Sequence, residues 1–430
     1  MLSKTVLRHQ GFRDLFIGQG VSQLGDALYY VVFMFMVGKI TGSAAWVGFV
    51  GAVEMLPYVF FSGYAGVLAD RIDRKKILLY TDWICMGILL AFGAVIFATG
   101  TPPVWTIFLT AGLLSVFRAF FYPAKNAAIP NLVPADEVLQ ANTLNAMSFN
   151  GFFTLGLLVS TFVLSSLYAL SPSFFFGLTV ILNAFSFGVS ALFIRRIPSV
   201  IPERKDEVQH PWTEFKEGIA YIRRRRALTV LMVAALFMSL AISPFMVVYV
   251  DANNQWFGGK PFTLTLCELS FFLAMMLGSI AVAKIKVKLV GIGYAVGLGV
   301  TGLAVACMAG SPILWLFCLL NFACGLFVPF ADIPVQSYVQ LKVEDAFRGR
   351  VNSALSMLRT GMTPLGLSLG GLMIDVVGLI PMFLTMGIGM FVVAGLALTD
   401  RAFRNATLDH EEGDPGPPNG TAADLCPEPA

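Results

Sequence analysis

Twelve stretches of about twenty or more residues run through this chain almost without charge: near 15–38, 45–68, 77–99, 103–123, 141–168, 173–194, 227–250, 262–283, 289–309, 312–333, 352–376 and 379–399. A helix rises about 1.5 Å per residue, so about twenty apolar residues match a hydrocarbon core about 30 Å thick. Backbone polar groups inside a bilayer must be satisfied within the chain, and runs of this length satisfy them as helices. The expected fold is therefore an all-α membrane protein with twelve transmembrane helices. Composition points the same way. Charged residues make up 13% of the 430, about half the share of a soluble domain. The first stretch is too long for a cleaved leader and lacks a small-residue cleavage site, so it is expected to stay as a span.

Lys and Arg give the orientation. With the N-terminus placed in the cytoplasm, 25 of the 29 fall on the cytoplasmic side, from Lys4, Arg8 and Arg13 to Arg401 and Arg404. Lys39 and Lys260 fall outside, and Arg118 and Arg359 lie within spans. Basic residues are retained on the cytoplasmic side of a membrane. The chain is thus expected in the cell (inner) membrane with both termini cytoplasmic.

The net charge of +3 is far from that of a nucleic-acid binder. Of six Cys, five lie in apolar runs and none forms a CxxC pair, so neither a disulfide framework nor a zinc site is expected. The three His lie in polar segments, and no GxxxxGK[ST] occurs. Haem, metal and ATP chemistry are therefore not expected. No cofactor is expected, and no nucleophile–base pair points to an enzyme.

A polar, basic loop at about 195–226 splits the spans six and six. The expected organisation is a bundle at 1–194, this cytoplasmic loop, a second bundle at 227–400, and a disordered cytoplasmic tail at 401–430. The Arg223–Arg226 run reads as a stop against anionic headgroups. The halves also repeat. Shifting span 5 by 210 residues sets Asn142 on Asn352, Met147 on Met357, Gly151 on Gly361 and Leu155-Gly156-Leu157 on Leu365-Gly366-Leu367. Repeats of this kind place a substrate site between the halves near the bilayer midplane.

After span 2 the chain reads Gly66-x-Leu68-Ala69-Asp70-Arg71-x-x-Arg74-Lys75. This closely resembles the cytoplasmic loop signature of the major facilitator superfamily, with Asp73 where the family usually has a second Gly. The resemblance covers about 10–400. It implies two pseudo-symmetric six-helix bundles with alternating access, and a conformational lock in this loop. On that reading Gly63 and Gly66 let span 2 approach a neighbour closely. Asp70, with Arg71 and Arg74, would face the N-terminal dipole of span 11 near Arg350. The start, Phe12-Arg13-x-Leu15-x-x-Gly18-Gln19-x-x-Ser22-x-x-Gly25-Asp26, resembles the enterobactin-exporter and macrolide-efflux branch. So do Tyr122 to Pro134 and Arg348 to Ser353. The Gly-Pro-x-x-Gly-Gly element common in span 5 of proton antiporters is replaced here by Gly156 to Thr161.

Ionisable residues at membrane depth cost about 2.5–3.5 kcal/mol each on insertion scales, so each is a functional candidate. Asp26 is the first choice for a proton carrier. Ser22, Asp26 and Tyr30 share one helical face, read as lining a cavity. Glu54 is a candidate for proton transfer or cation contact, and Glu268 for a gate. Arg118 is a candidate for coupling, and Arg359 for an anionic substrate group or a pair with Asp332. Asn145, Asn150 and Asn183 are candidates for hydrogen bonding, with helix–helix bonding the commoner use. The function implied is secondary active, proton-coupled antiport. It would export hydrophobic or amphipathic drug-like molecules from a monomer in the lipid bilayer. A siderophore, a lysophospholipid or a non-transporting sensor are the alternatives.

Overall fold

The computed structural model describes residues 6–69, 71–201, 211–285 and 289–407. Among them are 12 helices long and apolar enough to cross a membrane, one for each apolar stretch. Spans 1 to 4 are Gln10–Thr41, Ala44–Ala69, Arg74–Thr99 and Val104–Ala128. Span 5 begins as Val138–Val159, continues as a π-helical turn at Ser160–Leu164 and ends at Tyr168. Span 6 is Pro172–Arg196. Span 7 is broken at Ser243 and Pro244 into Arg226–Ile242 and Phe245–Trp256, because proline removes a backbone donor and crowds the preceding turn. Spans 8 to 12 are Pro261–Ile285, Val290–Met308, Leu314–Lys342, Asp345–Val377 and Leu379–Thr399. The face where span 1 begins and span 12 ends is called the terminal face below, and the opposite one the distal face.

Spans 1 to 6 pack together and spans 7 to 12 pack together, with spans 2 and 11 and spans 5 and 8 joining the halves. The internal repeat is visible in the packing. A methyl group on Gly156 of span 5 would press on Ala27 Cβ at 2.6 Å and on the Leu24 carbonyl of span 1. Its repeat partner Gly366 of span 11 sits equally close to Ser243 and to the Leu240 carbonyl of span 7. Gly151 and Gly361, also repeat partners, both have open space around them. Glycine serves here because only a missing side chain lets two backbones meet.

The central loop contains an amphipathic helix, Pro211–Arg223, which was not expected from the sequence. Its Phe215, Ile219 and Ile222 recur at i, i+4 and i+7, the spacing of an apolar stripe. This stripe lies on the core, and Gly218 abuts the Arg350 backbone of span 11. The tail is also ordered further than its composition implies. Arg401–Arg404 form a helical turn with Phe403 fully buried, and Val290 N–H donates to the Ala406 carbonyl at 2.9 Å. Apolar Phe403 and Ala406 are both buried there. Residues 408–430 lie outside the described part.

Candidate functional site

Spans 1, 3, 4 and 6 line a polar cell. Asp26 of span 1 forms an ion pair with Arg118 of span 4, and the Arg118 guanidinium lies 5.8 Å from the Phe187 ring centroid of span 6. Ser22, Gln19, Gln23, Thr81, Asp82, Cys85, Phe121 and Tyr122 complete the lining of a cavity of about 20 Å³. Gly25 lets span 1 approach Asn183 and Ser186 of span 6, and Ser186 Oγ donates to the Asn183 carbonyl at 2.8 Å. Asn183 is thus a helix-packing residue, while the surroundings of the Asn150 side chain lie outside the described residues.

Glu54 of span 2 is half-buried and lies within electrostatic reach of Arg118 and Asp26. Ser115 Oγ donates to its backbone carbonyl at 2.5 Å. Tyr30 departs from the expected shared cavity. Ser22 and Asp26 line the cell, but Tyr30 turns towards the other half. Its ring lies 6.4 Å from Phe153 of span 5, which in turn lies 5.0 Å from Phe272 of span 8. The reason is the helical advance between Asp26 and Tyr30, about 6 Å per four residues, which carries Tyr30 beyond the cell. Tyr30 is within electrostatic reach of both Glu54 and Glu268, and Glu268 is buried in span 8. Electrostatic reach thus runs from the Asp26–Arg118 pair through Glu54 and Tyr30 to Glu268, from the first half to the second. This path is flanked by the aromatic run Tyr30, Phe153 and Phe272.

Arg359 stands apart from these groups. It pairs with Asp332 of span 10, whose other oxygen accepts from Gln336 Nε2 at 2.6 Å. Each half thus contains one deep Arg–Asp pair. A larger cavity, about 710 Å³, lies elsewhere again. It is an apolar groove between spans 7, 11 and 12, lined by Phe237, Met238, Leu369, Met386 and Met390, and it holds none of the deep charges. Phe237 and Leu369 are exposed in it, so it opens sideways towards lipid.

The expected lock falls only in part within the described residues. Asp70 and the surroundings of Gly63 lie outside the described residues. Gly66 makes no close approach, since a methyl group there would meet no atom within 4 Å. Span 2 meets span 11 nearer the distal face instead, where Gly48 sits against the Leu367 backbone and Gly371 against Ala44 and Ala45. Arg71 is exposed. Arg74 donates to the Ala69 and Ala127 carbonyls at 3.0 and 2.9 Å and to Asn131 Oδ1 at 2.7 Å, tying the span 2–3 turn to the end of span 4. Asp73 caps span 3 by accepting from Lys75 N–H at 3.0 Å. It also takes Ser199 Oγ at 2.6 Å and Val200 N–H at 3.0 Å. Burial alone would raise the Asp73 carboxyl, but these three hydrogen bonds and the charge of Lys76 hold it below the usual range. Arg350 pairs with Glu217 of the loop helix at 3.0 Å.

A second junction lies at the distal face. The Asp375 carboxylate of span 11 accepts from Ser43 Oγ, from Ala44 N–H at 2.9 Å and from Ala45 N–H at 3.1 Å. A residue of one half thereby caps the first turn of a helix in the other. Sequence reasoning missed Asp375, because nothing local marks a cap 332 residues away. It also missed Asp82, which carries the same signal as Asp26, an acid inside an apolar run. Glu217 could have been found through the apolar stripe beside it.

Residues 3–422 match the family described as transmembrane secretion effector. Macrolide efflux protein A of Streptococcus pyogenes is 26% identical over 400 residues, covering 89% of this chain and 94% of that protein. The putative bacilysin exporter BacE of Bacillus subtilis (strain 168) is 26% identical over 405 residues, covering 92% and 95%. Among solved structures, a bacterial homolog to the human lysosomal transporter Spinster, inward-facing and unoccupied, superposes with a TM-score of 0.69 at 14% identity. It covers 94% of this chain and 98% of that one. The nucleoside transporter NupG gives 0.65 at 16% identity, covering 90% and 98%. At such identities these structures share the fold.

Proposed function

The chain belongs to the transmembrane secretion effector family of the major facilitator superfamily, and from that premise we propose that it exports amphipathic, drug-like molecules by proton-coupled alternating access. The observation that carries this reading is the series of deep polar groups within electrostatic reach of one another, from Asp26 and Arg118 through Glu54 and Tyr30 to Glu268. It crosses from one half to the other beside an aromatic run, so protonation in one half can be felt where the halves meet. The relatives named as macrolide efflux protein and bacilysin exporter support the direction and the substrate class.

In this reading the terminal face is cytoplasmic, in keeping with its Lys and Arg, and the protein works as a monomer in the cell (inner) membrane. The junctions Gly48–Leu367 and Asp375–Ala44 close the distal side, which corresponds to an inward-facing state. Residues 1–194 and 227–400 rock against each other about these polar groups. An amphipathic substrate stacks on Tyr30, Phe153 and Phe272 with a polar or cationic end towards Glu268 or Glu54. One proton crossing 100 mV contributes about 2.3 kcal/mol, enough for more than tenfold accumulation.

Proteoliposomes holding the full chain, given a macrolide and an imposed pH gradient, test this. Macrolide movement that depends on the gradient and falls in Asp26→Asn is expected. Movement that ignores the gradient, or an Asp26→Asn variant with wild-type rates, removes proton coupling. A compound panel in which no amphipathic molecule moves removes the substrate class.

A further inference from the structure

The apolar groove between spans 7, 11 and 12 plays no part in the proposed export cycle. Along span 7 it runs from Thr229 to Pro244. A helix rises about 1.5 Å per residue, so the groove is about 22 Å long. That exceeds the depth of one leaflet, about half of a hydrocarbon core about 30 Å thick. Val233, Phe237 and Met390 line its middle, and Pro244, Gly370 and Met382 its distal end. Gly389 lines it too, and a methyl group there would meet no atom within 4 Å. No carboxylate or ammonium interrupts this length until the terminal end is reached.

The terminal end is charged. Thr229 and Asp400 line it, and Arg226 Nε of span 7 donates to Asp400 Oδ2 at 2.7 Å, just past span 12. That bond uses one of the five N–H groups of the guanidinium. The Arg226 side chain remains 81% exposed, so the other four can meet a further acceptor. In charge, Arg226 and Asp400 cancel. Arg225 is likewise taken up by Glu344 at 2.7 Å and Arg350 by Glu217 at 3.0 Å. Arg223 and Arg224, just before them, and Arg401, next to Asp400, are exposed and form no ion pair among the described residues. The rim of the groove therefore carries a positive surplus above an apolar length.

We propose that the groove is a binding site for one anionic phospholipid of the leaflet at the terminal face. One acyl chain lies along the groove, the phosphate sits on Arg226, and Arg223, Arg224 and Arg401 balance the net charge. A guanidinium fork matches the oxygens of a phosphate. Each arginine at a membrane surface is worth about fivefold in affinity for anionic lipid. The distal end of the chain then touches Pro244 and Gly370, beside the break in span 7. The site needs no transport cycle, so it stands or falls apart from the export reading.

Native mass spectrometry of the delipidated full-length protein tests this. Phosphatidylglycerol and phosphatidylcholine with identical chains are offered together in equal amounts, and the lipid retained on the protein is counted. The wild type is expected to hold one lipid, with phosphatidylglycerol favoured at least about fivefold. Arg401→Gln is expected to cut that preference about fivefold. Arg13→Gln, at an exposed position on span 1 in the other half, is expected to leave it unchanged. Arg226→Gln combined with Asp400→Asn keeps the net charge and removes the fork, so retention of both lipids is expected to fall about fivefold. Gly389→Trp fills the groove and is expected to release the lipid. Val233→Trp serves if Gly389→Trp fails to fold, as judged by melting in lipid-free detergent. Equal retention of the two lipids by the wild type, or a lipid that stays bound in both tryptophan variants, overturns the proposal. An equal loss of preference in Arg13→Gln and Arg401→Gln marks a diffuse field and also overturns it. So does a dimer that Gly389→Trp disperses, which assigns the groove to a second copy. A preference that appears only when Asp409→Asn, Glu411→Gln, Glu412→Gln and Asp414→Asn are combined assigns the rim to the chain's own tail, and overturns it as well.

Discussion

The Asp375 junction permits a worked test of how the two halves are held together. Its carboxylate accepts from Ser43 Oγ and from the Ala44 and Ala45 N–H groups. These donors belong to the first turn of span 2, so the bonds exist only while the distal ends of spans 2 and 11 touch. Asp375→Ala removes them from the distally closed state and leaves the open state unchanged. Loss of a helix cap costs about 0.5–2 kcal/mol, and loss of a charge at a helix N-terminus about 0.3–1 kcal/mol. Asp375 is an exposed residue, so solvent screening places the sum at the low end, about 1 kcal/mol. That is roughly a fivefold shift of the closed-to-open ratio towards open. Spin labels at Trp105→Cys and Trp315→Cys, both exposed at the distal ends of spans 4 and 10, report the separation by pulsed dipolar spectroscopy. The long-distance population is expected to grow about fivefold relative to the short one in Asp375→Ala, and by less in Asp375→Asn, which keeps an acceptor. Gly48→Leu, which collides with the Leu367 backbone, is the positive control. If the control moves the distances and Asp375→Ala does not, the trans-cap does not hold the closed state.

Other outcomes follow from the same geometry. Gly156→Val and Gly366→Val should each destabilise the protein by about 1–3 kcal/mol in thermal unfolding, as overpacking does, whereas Gly151→Ala and Gly361→Ala should cost little. Asp73→Ala should cost about 1 kcal/mol at neutral pH. Because the native Asp73 carboxyl is held below its unfolded value, that contribution is present above about pH 4 and fades as pH falls through the native range, so the two melting curves should converge in acid. A double-mutant cycle on Glu217 and Arg350 should give a coupling of about 0.2–1 kcal/mol, lost in high salt.

Much of the fold was legible because the bilayer makes it so. A hydrophobic run of about twenty residues has one stable use in a membrane, and all twelve runs became spans. The loop helix at Pro211–Arg223 was not read from the sequence, because the basic composition around Phe215, Ile219 and Ile222 masks their stripe. The candidate site was legible only in part. Insertion cost marks Asp26, Glu54, Arg118, Glu268 and Arg359 as unusual, but it marks Asp82 equally and says nothing about pairing. Arg359 could have met a substrate group and instead meets Asp332. Gly66 looked like a contact glycine because it stands in a motif, yet the close approach belongs to Gly48.

Hydropathy and charge along the chain suffice for the number of spans, the six-and-six division with its repeat, the sorting of basic residues to one face, and the short roster of charges left at membrane depth. These follow from transfer energies that act residue by residue, so no partner needs to be known. Which deep charges neutralise one another, and that Tyr30 turns away from Asp26 towards Phe153, depend on how the helices pack. The same packing makes Asp375 cap a helix in the other half and buries Asp82 beside Ser190. Those outcomes depend on which helix faces lie opposite each other, and that is fixed by packing between segments far apart in the chain.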